Sequence, residues 1–237
     1  MRATGGRPAS EARRYAQTSY RPLGGRYMSR HGKALVALFG AAIAFGALVG
    51  TASAGRLSTS SRNIRAAWAE LGYSEPLFGA SARCPVTLEG SLHSSTIAKV
   101  AGALVGHVSR GTVNNAACTG GRATILQASL PWHIRYGGFS GTLPNITSIV
   151  AHVIGASYRG EGAFGICLFT SSLTQPVVGT YNRNTSTRSV TSMDVSGSLT
   201  SNENCGAFGE RITVRLSGRT TSLTQLGSTG GIIVTLI

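Results

Sequence analysis

Residues 211–216 read Arg-Ile-Thr-Val-Arg-Leu, and residues 132–136 read Trp-His-Ile-Arg-Tyr. Both alternate strictly. Ile212, Val214 and Leu216 stand against Arg211, Thr213 and Arg215; Trp132, Ile134 and Tyr136 stand against His133 and Arg135. Successive side chains of a β-strand point to opposite faces, so this pattern marks a strand with one face in a core and the other in water. The pattern recurs outward from these segments. Val86, Leu88, Gly90 and Leu92 alternate after Cys84-Pro85, and Val190, Ser192 and Asp194 alternate with Thr191, Met193 and Val195. Residues 123–130 follow a Gly120-Gly121 turn, residues 146–158 form a long apolar-rich run, and residues 232–237 form a terminal one. Gly137-Gly138 is expected to turn the chain into residues 139–143, and residues 218–230 to form an exposed loop. About eight to ten short strands, spaced roughly 8–15 residues apart, indicate an all-β domain, a single antiparallel β-sandwich or closed barrel.

Two segments fit either period. In residues 62–72, Ile64, Trp68 and Leu71 match a helical face, while Ile64, Ala66 and Trp68 alternate as a strand would. In residues 96–108 a helical face is also present, but Gly102 and Gly106 would each cost a helix about 1 kcal/mol. The strand is the preferred reading of both.

The N-terminal quarter has a different character. Arg30, His31 and Lys33 precede an uncharged apolar stretch, residues 34–49, which ends at Ala52-Ser53-Ala54 before Gly55. A basic head, a short apolar stretch and small residues at an A-x-A site make a secretory signal peptide, here residues 28–54. The apolar part is shorter than the roughly 20 residues a spanning helix needs. Residues 1–27 carry six Arg and fit no part of that signal. They are expected to be a disordered basic leader, left untranslated if Met28 is the start. The mature domain is then residues 55–237, with no integral membrane segment.

Removing residues 1–54 changes the charge balance. The whole chain carries +14, but residues 55–237 hold fourteen basic residues against seven acids, a net +7. The arginines are scattered, and no basic stripe interleaved with aromatics marks a nucleic-acid partner. Ser and Thr make up about a quarter of the mature part, which suits the solvent faces of strands. All four cysteines, Cys84, Cys118, Cys167 and Cys205, lie there. An even count behind an export signal reads as disulfides. Three pairings are open. The similar separations within each half favour Cys84–Cys118 and Cys167–Cys205.

Motifs for chemistry are few. His93, His107, His133 and His152 form no metal-binding spacing, and no C-x-x-C occurs, so neither metal nor cofactor is expected. G-x-S-x-G is absent, and no two carboxylates can be assigned to one cleft. Pro131 lacks a ladder donor, so its strand begins there or lies at an edge. Trp132 then serves either as a core anchor or, with Tyr136 and Phe139, as the lining of a groove for an apolar or glycan ligand.

Cys84 with Thr87-Leu88-Glu89-Gly90, Leu130-Pro131-Trp132-His133, Cys167, Gly179-Thr180-Tyr181-Asn182, Thr185-Ser186-Thr187 and Cys205 occur in an order that resembles the secreted activator-of-alkane-oxidation (PraB-like) family over roughly residues 84–216. Residues 99–111 and 218–237 have no counterpart in that pattern. The resemblance implies an extracellular, β-rich, non-enzymatic accessory protein in contact with hydrocarbons or surfaces, and it transfers no catalytic residue. The sequence therefore points to an exported protein, secreted or associated with the cell envelope, that binds apolar material or an envelope polymer. A small secreted hydrolase and a structural envelope component are the alternatives. Mass spectrometry of the exported protein is expected to find Gly55 at the N-terminus; a start at Met1 or Met28 would refute the cleavage site.

Overall fold

Apolar and polar side chains alternate along most strands of this chain, and a row of such strands must hide one face. In a computed structural model of the protein, the described residues are 55–77, 79–163, 165–206 and 208–237. The expected leader and signal peptide, residues 1–54, lie outside them. The described residues form fifteen strands. These are β1 (Arg56–Thr59), β2 (Asn63–Ser74), β3 (Ser81–Leu92), β4 (Thr96–Ala98), β5 (Leu104–Val113), β6 (Gly121–Ile125), β7 (Trp132–Thr142) and β8 (Asn145–Ile154). They continue as β9 (Ser157–Gly162), β10 (Gly165–Thr170), β11 (Val177–Arg183), β12 (Ser189–Thr200), β13 (Thr213–Arg219), β14 (Ser222–Gln225) and β15 (Ile232–Leu236).

Eight of these strands close on themselves. The sheet runs β11-β8-β7-β5-β3-β2-β13-β12, and β12 also pairs with β11. The ring order is the chain order, and every pairing is antiparallel, which defines an up-and-down barrel. Of the two architectures consistent with the alternation, the chain adopts the closed one. Closure leaves these strands no free edge.

Both ambiguous segments are strands. Residues 63–74 form β2, and residues 96–108 supply β4 and the start of β5. The glycines that argued against a helix have a second use. A Cβ on Gly106 would sit 2.5 Å from the Ser91 carbonyl oxygen, and one on Gly90 would sit 2.4 Å from that of His107. Only glycine lets β3 and β5 approach so closely where their register shifts between Glu89 and Gly90.

Three expectations need correction. The strand count exceeds eight to ten, because short strands such as β1, β4 and β14 are rich in Ser and Thr and show little alternation. Gly137-Gly138 is no turn. Strand β7 runs straight through it, with a bulge between Tyr136 and Gly138 that absorbs the extra residue. Residues 218–230 are not one loop either. Strand β14 pairs with β2 there, and Leu223 is only 2% exposed. One apolar residue among four was enough, because Leu223 enters the core.

Each end of the barrel is covered. Strands β6, β9 and β10 form a separate sheet in the order β10-β9-β6. Ala123 and Ile125 of β6 and Tyr158 of β9 face the same interior space as β2, β3 and β7 residues. At the other end β15, β1 and β4 extend from β12, and Ile97, Ile232 and Val234 close over the interior. The end sheet is joined to the barrel wall by two isolated backbone bridges, Arg83 with Thr119 and Phe169 with Ser201. A disulfide stands close to each. Cys84–Cys118 and Cys167–Cys205 both form, closing separations of 34 and 38 residues, and Cys84 and Cys167 are fully buried.

Loops of this length should stabilise by about 4 kcal/mol each through the entropy they remove from the unfolded chain. Replacing Cys167 and Cys205 by Ser is expected to lower the unfolding free energy by about that amount in a urea titration. A loss below about 1 kcal/mol would mean that the end sheet holds without its tether.

Candidate functional site: the barrel interior

Inward positions of the ring supply a continuous apolar core, including Ala66, Trp68, Val86, Val108, Ile134, Val195 and Leu216. Eight strands leave an interior just wide enough to be filled by side chains or to hold one small ligand. Here the filling is incomplete. A cavity of about 120 Å³ lies toward the disulfide-tethered end, and one of about 60 Å³ toward the opposite end. Ile64, Ile134 and Tyr181 border both and separate them. The larger cavity combines extremes of size: Ala66, Ala123, Ala156 and Gly179 beside Trp68, Trp132, Tyr73 and Tyr158.

Polar tips within this apolar space fall into two groups. Trp132 donates its indole N–H to Ser129 Oγ at 2.9 Å, and Tyr73 donates its hydroxyl to the Arg122 carbonyl at 2.5 Å. By contrast, Trp68 Nε1, Tyr158 Oη and Tyr136 Oη are buried with no hydrogen-bond partner among the described residues. Trp68 and Tyr158 line the larger cavity and Tyr136 the smaller. A buried donor left unpaired costs about 1–3 kcal/mol. Tyr158 packs between Tyr73 and Phe169, with ring centroids 6.2 and 5.3 Å away, so its position is set by stacking. Burial pushes Tyr73 and Tyr181 up to about 12, raises Tyr136, and raises Tyr158 further still, with Tyr73 adding to that last shift. The phenols that border the interior therefore stay neutral at physiological pH.

The ion-paired groups keep solvent exposure, whereas Glu75 is buried. Glu89 lies between Arg65 and Arg110 at 3.9 Å from each, while Arg83 meets Glu70 at 3.0 Å and Arg159 meets Glu161 at 2.8 Å. Arg219 grips Asp194 at 2.6 and 2.9 Å, and Asn182 donates to it at 2.7 Å. The Arg219 guanidinium, then the Asn182 amide, holds the Asp194 carboxyl below the usual carboxylate range. An apolar interior with an ionic exterior is the reverse of a membrane-spanning barrel. Among the described residues no helix is long and apolar enough to cross a membrane.

The three aromatics singled out from the sequence do not share one surface. Trp132 lines the larger cavity and Tyr136 the smaller. Phe139 borders neither and lies under the Lys99 ammonium, 5.6 Å from the ring centroid. Trp68, Tyr158 and Tyr181, which sequence reasoning did not select, complete the lining. Trp68 was visible as part of the Ile64-Ala66-Trp68 alternation; Tyr158 was hidden in the run 146–158, which Gly155 breaks at φ 80° into β8 and β9. Of the histidines, His107 and His133 stand opposite each other on β5 and β7, and His107 Nε2 is 3.3 Å from Ser91 Oγ. Among the described residues no cluster of three or more His, Cys, Asp or Glu is arranged to hold a metal ion.

These features define a class by geometry: an antiparallel eight-stranded up-and-down barrel, covered at both ends, with an apolar internal cavity. No protein-family model matches the chain, and neither a curated protein nor a solved structure does. The cavity makes a direct prediction about packing. Ala66→Val adds two methyl groups to an inward, cavity-lining strand position. It is expected to raise the unfolding free energy by about 0.5–1 kcal/mol, read by urea denaturation, because the added carbons enter vacant apolar space. A loss of about 1 kcal/mol or more would show a site already packed to its limit.

Proposed function

We propose that this chain is an exported, non-enzymatic accessory protein whose barrel interior binds small apolar molecules. The observation that carries the reading is the 120 Å³ cavity, walled almost wholly by aliphatic and aromatic side chains. Apolar enclosure of that kind favours transfer of apolar matter from water by roughly 25 cal/mol per Å² buried. A cavity of about 150 Å³ lined by apolar side chains stays dry and binds benzene, and this one is close in size.

The address follows from separate features. Two disulfides suit an oxidising compartment, and residues 28–54 have the three parts of an export signal. On this reading the protein works outside the cytoplasm, secreted or at the cell envelope. The resemblance to the activator-of-alkane-oxidation family points to the same class of ligand. Four of the carboxylates a hydrolase could draw on, Glu70, Glu89, Glu161 and Asp194, are instead engaged by arginines on solvent-accessible side chains.

Two measurements test the proposal. Solvent extraction of natively purified protein, followed by gas chromatography, is expected to release a small apolar compound in near-stoichiometric amount. Benzene titrated into extracted, refolded-checked protein is expected to shift the amide resonances of β2, β3 and β7 saturably, with a dissociation constant on the order of 0.1–1 mM. No co-extracted compound and no saturable shift up to the solubility limit of benzene would overturn the proposal.

A further inference from the structure

Next to the smaller cavity lies an open pocket of about 310 Å³, formed where β1, β4 and the start of β5 meet. Ile97 and Val105 line both this outer pocket and the smaller cavity. The smaller cavity in turn shares Ile64, Ile134 and Tyr181 with the larger one. A side chain that lines two spaces is a wall one side chain thick. The three spaces therefore stand in series, from the protein surface toward the disulfide-tethered end. The outermost wall is also weakly anchored. Ile97 belongs to β4, a strand of three residues that pairs with β1 and ends the sheet. Elements held by few backbone bonds open at low free-energy cost.

The chemistry changes along the series. The two inner spaces are walled by aliphatic and aromatic side chains, whereas Arg56, His93, Ser94 and Thr96 join Leu104 around the outer pocket. No Asp or Glu lines that pocket, and Arg56 forms no ion pair among the described residues. A guanidinium is charged throughout the physiological range, and its donors match the two oxygens of a carboxylate. His93, whose ring lies 5.7 Å from that of His107, adds an imidazole N–H donor. A cationic, hydroxyl-bearing mouth followed by an apolar interior is complementary to an amphiphile with an anionic head.

Resting on the proposed apolar-binding role of the interior, we infer that the three spaces form one binding tract for an unbranched carboxylate of about eight carbon atoms. Its carboxylate stays in the open outer pocket beside Arg56 and His93, where water still reaches it, so no charge is buried. The alkyl tail passes Ile97 and Val105 and enters the barrel. The cavities of 60 and 120 Å³ together accommodate about six carbon atoms, by the measure of a benzene ring in about 150 Å³. A compact hydrocarbon fits the larger cavity and uses neither the outer pocket nor its cation. Arg56 is thus a specificity determinant for the head group, and the spaces behind Ile97 and Val105 set the length of the tail.

Three probes test the inference: octanoate, 1-octanol of the same length with a neutral head, and butanoate, too short to reach the larger cavity. Each is titrated into the mature protein with amide resonances as the readout. Octanoate is expected to shift β1 and β4 together with β2 and β7 and to displace bound benzene; butanoate should shift β1 and β4 and leave benzene in place. Arg56→Gln, at an exposed position, is expected to weaken octanoate about fivefold and 1-octanol less than about twofold. Ala151→Leu fills the smaller cavity, which Ala151 lines. It should weaken octanoate at least about tenfold and butanoate less than about twofold. If Ala151→Leu does not fold, benzene displacement and Arg56→Gln decide. Octanoate shifts confined to β1 and β4, or equal losses of octanoate and 1-octanol in Arg56→Gln, would overturn the inference; benzene still bound would leave the proposed function intact. Failure of both benzene and octanoate to bind the unaltered protein would overturn the inference together with the proposed function beneath it.

Discussion

Three residue pairs between β13 and β2 turn a sheet into a barrel: Arg215 with Ser74, Leu216 with Tyr73, and Ser217 with Gly72. Without them the ring would open, and the outer edges of β2 and β13 would carry unpaired backbone groups. The seam continues after a break. Strand β14 pairs Ser222 through Gln225 with the other half of β2, Ile64 to Ala67. Between the two halves the chain steps across Thr220 and Thr221: the Met193 amide donates to Thr220 Oγ1, and the Thr221 amide donates to the Ala67 carbonyl. The break coincides with the register shift of β2 against β3 between Trp68 and Leu71. Bulges re-aim side chains where they occur. Closing the ring and placing Trp68 on the cavity are therefore consequences of the same irregularity in one strand.

Closure also sets the division between inside and outside. Once the strands meet, every inward position loses access to water and every outward one keeps it. The outer rungs accordingly hold cross-strand ion pairs, Glu89 with Arg65 and Arg110, and Asp194 with Arg219. Exposed pairs of this kind contribute at most about 1 kcal/mol each. Their main effect is on register, since a slip of one residue would carry them inward. The end sheet is secured differently. With two isolated bridges to the wall among the described residues, it has little of the backbone bonding that fixes the ring strands. The disulfides supply covalent tethers at those places: Cys84–Cys118 joins β3 to the segment leading into β6, and Cys167–Cys205 joins β10 to the segment that follows β12.

Much of this could be read from residue patterns, and the parts that could not have physical reasons. Strict alternation in residues 132–136 and 211–216 identified strands, because period-two patterning is local. It did not separate sandwich from barrel, since both need one buried face, and the difference lies in a single long-range seam. Strand β14 escaped notice because Ser222-Leu223-Thr224-Gln225 owes its place to pairing with β2 rather than to its own apolar content. Similar spacing of the cysteines within each half anticipated the pairing that forms. At the site, Trp132 was conspicuous beside Pro131, yet its N–H is satisfied by Ser129 three residues earlier. Trp68 was one member of an alternation, and its distinguishing property, an unpaired donor, depends on neighbours distant in sequence.

That contrast bears on how a closed barrel acquires a cavity at all. An eight-stranded ring is near the size that ordinary aliphatic side chains fill, so space inside requires a departure from uniform packing. This chain places Ala66, Ala123, Ala156 and Gly179 around the larger cavity, and bulky aromatic rings among them. Aromatic side chains have few rotatable bonds and cannot collapse into the space that alanine and glycine leave open. Stacking of Tyr158 on Phe169 at 5.3 Å holds one wall in place, and the hydrogen bond of Tyr73 to the Arg122 carbonyl ties that aromatic group to the end sheet. The cavity is thus bounded by rigid groups braced against the tethered sheet, and its volume is a property of the wall rather than of a loosely packed core.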